Sequence, residues 1–152
     1  MTTDINAILA RRASDAKKPT AKPVGTYEMT IVGHEFGFSK QKKTPYARLV
    51  CRADRCVALE NPADQPTLDE MGNLSESRPI SMDFYLTPDA EFRFTKFLGD
   101  ILGLDTSQSY GVLTPQTKGL RFLAYVTKRP AKPDDPTNDE FYNDISSTAK
   151  LA

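Results

Sequence analysis

The feature that most constrains this chain is a change of phase in its first apolar segment. Between Thr26 and Phe38, Tyr27, Met29 and Ile31 alternate with Glu28 and Thr30, the period of a half-buried strand. Past Gly33 the apolar positions move to even numbers, Phe36 and Phe38. A phase change at a glycine implies a β-bulge, and so a long strand that bends sharply. A strand of that kind can serve both sheets of a small barrel.

The rest of the chain supplies compatible partners. A lysine-rich loop at 39–44 (Lys40, Lys42, Lys43) leads into a second strand over 45–53, with Ala47, Leu49, Cys51 and Ala53 inward. Tyr46, Arg48, Val50 and Arg52 then share the outward face. Residues 54–79, polar and broken by prolines, are too long for a hairpin and read as a partly ordered insertion. A third strand, 80–86, places Ile80, Met82, Phe84 and Leu86 against Ser81, Asp83 and Tyr85.

A helix follows, with Thr87 as N-cap, Pro88 at its first position and Gly103 as its stop. Phe94, Phe97, Leu98, Ile101 and Leu102 form its buried stripe. Phe92 lies off that stripe and is expected beneath the loop at 104–119. The fourth strand, 120–127, turns Phe122, Ala124 and Val126 one way and Arg121 and Tyr125 the other. A proline-rich loop at 128–138, carrying Lys128 and Arg129, precedes a last strand near 140–146. Ahead of all this, residues 1–22 read as a flexible leader with a short helical stretch, and residues 148–152 as a tail.

The order β-β-β-α-β-β, with a bent first strand, is that of an OB-fold: all-β with one helix, a five-stranded Greek-key barrel. One domain over 23–147 suits the length of 152 residues. In an OB-fold the ligand lies on strands two and three, between the loops after strands one and four. Those places hold Lys40, Lys42, Lys43, Tyr46, Arg48, Arg52, Tyr85, Lys128 and Arg129, and the solvent face of strand four adds Arg121 and Tyr125. Cations suit phosphates, and flat rings suit unstacked bases, so the set points to single-stranded DNA. Each tyrosine alone is better explained by a ring that caps the core edge with its hydroxyl in water, whereas the set together favours binding.

Charge refines the reading. The chain is neutral, with 20 basic and 20 acidic residues, which excludes a uniformly basic polyanion binder. Residues 1–52 carry ten Lys/Arg against four Asp/Glu, and the remainder carries the balancing acidic excess. His34 is the sole histidine, so a zinc site is not expected, and Cys51 reads as a small core residue. The acids Asp134, Asp135, Asp139 and Glu140 are expected to serve solvation rather than Mg²⁺ binding. No catalytic signature is present, which predicts a protein without enzymatic activity or cofactor. Two cysteines and no apolar run near 20 residues predict a cytoplasmic protein that does not enter membranes.

Several runs also resemble phage-encoded OB-fold single-stranded-DNA-binding proteins. They are Pro-Val-Gly-Thr-Tyr at 23–27, Thr-Pro-Tyr-Ala-Arg at 44–48, Phe-Tyr-Leu-Thr-Pro at 84–88, Val-Thr-Lys-Arg-Pro at 126–130 and Phe-Tyr-Asn-Asp-Ile at 141–145. The resemblance implies sequence-independent coating of exposed strands during phage replication or recombination, in the host cytoplasm. It also implies phage or host replication proteins as partners. Many such proteins recruit partners through an acidic tail with an apolar tip. Residues 146–152 contain no acid, so that route is not expected here. The alternative is a protein-interaction module, a phage accessory or host-inhibitor protein on the same barrel. A structural virion component and a nuclease or other hydrolase are further contenders. Oligomeric state stays open.

Overall fold

A computed structural model of the chain describes residues 5–10, 12, 13 and 20–151, with Ile8 described by its backbone alone. The protein is mostly sheet, a five-stranded antiparallel open sheet with a few short helices. Its strands are β1 (Gly25–Phe38), β2 (Pro45–Leu59), β3 (Ile80–Tyr85), β4 (Arg121–Pro130) and β5 (Phe141–Ala149), in the spatial order β3-β2-β1-β4-β5. The helices are α1 (Ile5–Ala10), α2 (Gln65–Met71), α3 (Glu91–Lys96) and α4 (Tyr110–Gln116). None is long and apolar enough to cross a membrane.

The phase change at Gly33 is a real irregularity of β1. Its register against β2 slips between Ile31 and Gly33, and again near Tyr27 and Met29. Three slips let one strand coil strongly, because each extra residue adds local twist. Before the bend, Tyr27, Met29 and Ile31 are fully buried. Beyond it, Phe36 and Phe38 sit across from Ala47 and Pro45 but are 50% and 68% exposed. The alternation identified their side of the sheet. It could not reveal that the core ends there, because β4 pairs with β1 only over 25–30.

Beneath the sheet, Phe94 and Phe97 stack on Phe84 with ring centroids 4.8 and 5.3 Å away, and Phe97 meets Phe122 edge-on at 5.2 Å. The helical stripe therefore fills the core as its spacing requires. Its start differs from expectation. Residues 87–90 form a turn in which the Thr87 carbonyl accepts from the Ala90 and Glu91 amides, and α3 begins at Glu91 without a side-chain cap. The following turn, Phe97–Ile101, is widened to π geometry. Gly103 then ends the helix at φ +75°, the left-handed conformation a helix stop favours.

Regular structure extends into three segments read as insertion or loop. β2 continues to Leu59, and 54–79 folds onward into short helical turns and α2. Within 104–119, α4 starts with Ser109 capping the Val112 amide, a signal obscured by Gly111 and Pro115. Lys128 and Arg129 lie on β4 rather than in the loop beyond it. Phe92 is exposed and is not covered by that segment.

At the other end of the sheet, residues 20–24 strap the strand ends together. The Lys22 amide donates to Asn143 Oδ1 at 2.8 Å, and its Nζ donates to the Arg78 carbonyl at 2.6 Å. The Tyr27 hydroxyl donates to the Pro23 carbonyl at 2.7 Å. Lys22, at the end of the segment read as a leader, is 1% exposed. Burial and the nearby Arg78 charge lower its pKa to about 8. The rest of that segment lies largely outside the described residues.

Candidate nucleic-acid interface

The outward face of β2 and β3 brings part of the expected set together. Tyr46 and Tyr85 are direct cross-strand partners, and their rings meet edge-to-face at 6.5 Å. Tyr46 leans over its other partner, Gly37. A β-carbon at Gly37 would lie 2.7 Å from Tyr46 Oη, so the missing side chain is what lets the ring settle there. The Arg48 guanidinium stands 5.0 Å from the centre of the same ring.

Arg48 is not a free cation. Its Nε and Nη2 donate to the two carboxylate oxygens of Asp83 at 2.7 and 3.1 Å, and Nη1 donates to Glu35 at 2.9 Å. The Asp83 hydrogen bond, foremost, raises its already high pKa. One positive charge against two negative ones leaves the trio with net charge −1. Arg48 thus acts first as a rigid prop under Tyr46.

Farther along the sheet, Arg52, Thr30 and Arg121 face one another across β2, β1 and β4. Arg52 donates to Asp54 at 3.0 Å, and Arg121 to Glu28 at 2.9 Å. Arg55 also donates to Glu28, which is 5% exposed although it points away from the core. Arginine stems cover it where the sheet coils most tightly. Tyr125 is separate again: its hydroxyl donates to Glu60 at 3.1 Å, and its pKa is raised by burial and by that carboxylate. Arg129 pairs with Asp144 at 2.8 Å.

The lysines behave differently. Lys40, Lys42 and Lys43 are exposed at the β1–β2 tip, and none has a carboxylate partner among the described residues. The tip is fixed by its backbone. Ser39 donates to the Thr44 carbonyl, Lys43 donates to the Ser39 carbonyl, and Lys43 takes φ 54°. Lys40 and Lys42 border a depression of about 700 Å³ whose other wall includes Tyr85, Thr87 and Ala90.

A second aromatic and cationic cluster surrounds the expected Lys128 and Arg129; its other members, Arg78, Phe141 and Tyr142, were not among the binding residues expected from the sequence. On β5, Tyr142 lies between Arg129 and Arg78, at 5.1 and 5.9 Å, and Lys128 lies 5.4 Å from the Phe141 ring. A groove of about 360 Å³ between β3 and β5 is lined by Arg48, Asp83, Arg78, Arg129 and Tyr142 among others. The adjacent aromatics at 141–142, after a proline-rich loop, were the available signal. Arg78, in an irregular stretch before Pro79, gave none.

The expected residues therefore fall into three groups. Tyr46, Arg48, Tyr85 and the tip lysines are one, Arg52 and Arg121 a second, and Lys128 and Arg129 a third, while Tyr125 stands apart. His34 is exposed, with its ring edge-on to Phe36 at 5.8 Å. Cys51 is buried, which pushes its thiol up to about 12. Among the described residues, no group of three or more His, Cys, Asp or Glu is placed to hold a metal ion. Compared with protein-family models and with curated proteins, the chain matches none of them.

Proposed function

We propose that this protein binds single-stranded DNA without sequence preference, on an OB-type barrel whose working surface is the outward face of β2 and β3. The observation that carries the reading is the paired Tyr46 and Tyr85, the latter sharing a depression with Lys40 and Lys42, at a tip whose three lysines have no carboxylate partner among the described residues. Base stacking on exposed rings is indifferent to sequence, and lysines at a loop tip track phosphates. The ion-paired arginines fit the same reading as supports for the surface, with fewer free charges than a polyanion site built on every arginine would have.

The barrel reading rests on the strand order and the coiling. In the order β3-β2-β1-β4-β5 the two edge strands are β3 and β5, and both line the grooves between them. The coiled β1 joins the two halves of the sheet, and α3, which follows β3 in the chain, packs Phe94 on Phe84 of that strand. A partly open five-stranded barrel has these traits. A role in phage replication or recombination is the setting that the sequence resemblance suggests for such an activity.

Fluorescence anisotropy of a labelled oligo-dT tests the proposal. The expected result is binding whose log–log salt dependence falls by about 0.7 per phosphate contacted, with duplex of equal length bound far more weakly. Equal affinity for duplex and single strand, or no binding of either, refutes it.

A further inference from the structure

We infer that the β1–β2 hairpin grips a single strand on both of its faces, with Phe36 and Phe38 as base-stacking residues on the side away from Tyr46 and Tyr85. This rests on the proposed single-strand binding and adds a second surface to it.

Beyond Ile31, among the described residues, β1 has a strand neighbour on one side only. The last backbone bonds on its other side join Ile31 to Leu120 and Gly119. From Val32 to Phe38 β1 therefore forms an open edge among the described residues, while the β2 residues facing it, from Tyr46 on, stay paired with β3. The outward face of the hairpin carries Tyr46, and its opposite face carries His34, Phe36 and Phe38. Both phenylalanines are at least half exposed on a strand that ends at the lysine tip. Rings on two faces, joined around a free edge by three lysines, form a track along which a flexible polyanion can turn.

Charge and area choose this occupant over a second copy of the chain. The one acid of the hairpin, Glu35, belongs with Arg48 and Asp83 to a trio of net charge −1, so the three lysines still leave the tip positive and complementary to phosphate. With about 200 Å² per phenylalanine, the two expose together about 240 Å², against about 800 Å² that each partner buries in a stable protein interface. Two bases, by contrast, need little more than two ring faces.

The test compares wild type, Phe36→Leu and Phe38→Leu, both at exposed positions and both retaining apolar character, in titrations with oligo-dT of graded length. Each variant is expected to bind about 5- to 150-fold more weakly, the loss of one stacked base. The number of nucleotides covered per protein falls, and the salt slope is unchanged because no cation is removed. Lys42→Gln gives the opposite pattern, a salt slope smaller by about 0.7 with coverage retained. If wild type binds oligo-dT and both leucine variants match it in affinity and coverage, the second face is refuted while the first stands. A wild type that self-associates in sedimentation, with Phe38→Leu monomeric and its DNA affinity intact, also overturns it and assigns the face to protein contact. Failure of wild type to bind oligo-dT overturns both readings.

Discussion

Substituting Gly37 by alanine should weaken DNA binding while leaving the fold nearly as stable as before. The new methyl group would lie 2.7 Å from Tyr46 Oη and 2.8 Å from Cζ, closer than carbon atoms tolerate. The ring tip must move, which opens its edge contact with Tyr85 and its stacking with Arg48. An exposed aromatic pair contributes about 0.5–1.5 kcal/mol and an exposed cation–π contact about 0.5–1 kcal/mol. Replacing glycine by alanine in a strand returns about 0.5–1 kcal/mol by restricting the unfolded chain. The net cost in stability is thus at most about 2 kcal/mol. Binding loses a base stack, about 1–3 kcal/mol, or roughly 5- to 150-fold in Kd. Gly33→Ala is the control, since nothing lies within 4 Å of its added carbon. Urea unfolding and oligo-dT anisotropy on both variants give the answer. Unchanged affinity in Gly37→Ala, or an equal loss in Gly33→Ala, refutes the role given to Tyr46.

Other perturbations probe different parts of the account. Asp83→Asn frees one side of Arg48; oligo-dT affinity and salt slope should both rise, the slope by about 0.7, and a fall in affinity counts against Arg48 facing the strand. Lys22, held near pKa 8 instead of the usual 10.5, loses its proton in the folded chain while the unfolded chain keeps it. Stability should therefore rise with pH across that window, and the wild type should gain on Lys22→Met between pH 8 and 10; parallel urea-derived curves contradict this. Phe94→Ala removes the ring stacked on Phe84 and should cost about 3–5 kcal/mol in thermal or urea unfolding, with a loss below 1 kcal/mol refuting its place at the centre of the core.

The elements that bury one regular face were legible from the sequence. Alternation in β1, β2, β3 and β4 and the 94–98 stripe depend on local spacing, and each names its own inward residues. What lay beyond reach was non-local. The exposure of Phe36 and Phe38 follows from where β4 stops pairing, which no residue of β1 encodes. The pairing of Arg48 with Asp83 and Glu35, and of Arg121 with Glu28, joins residues as many as 93 positions apart. The chain's basic first third therefore overstated the free charge of the site. The surplus cations at Arg48 and Arg52 are engaged by carboxylates, and Lys22 is buried within the strap. Lys40, Lys42 and Lys43, flanked by turn residues, were legible because exposure at a loop tip is a local property.

Photo-crosslinking is the most direct test of the stacking surface. An oligo-dT in which 5-iododeoxyuridine replaces scattered thymidines is irradiated with the protein, and the adducts are mapped by mass spectrometry. Bases lying on the β2–β3 face should attach to Tyr46 and Tyr85. Adducts confined to residues remote from that face, such as those of α2, with both tyrosines unmodified, would contradict the account.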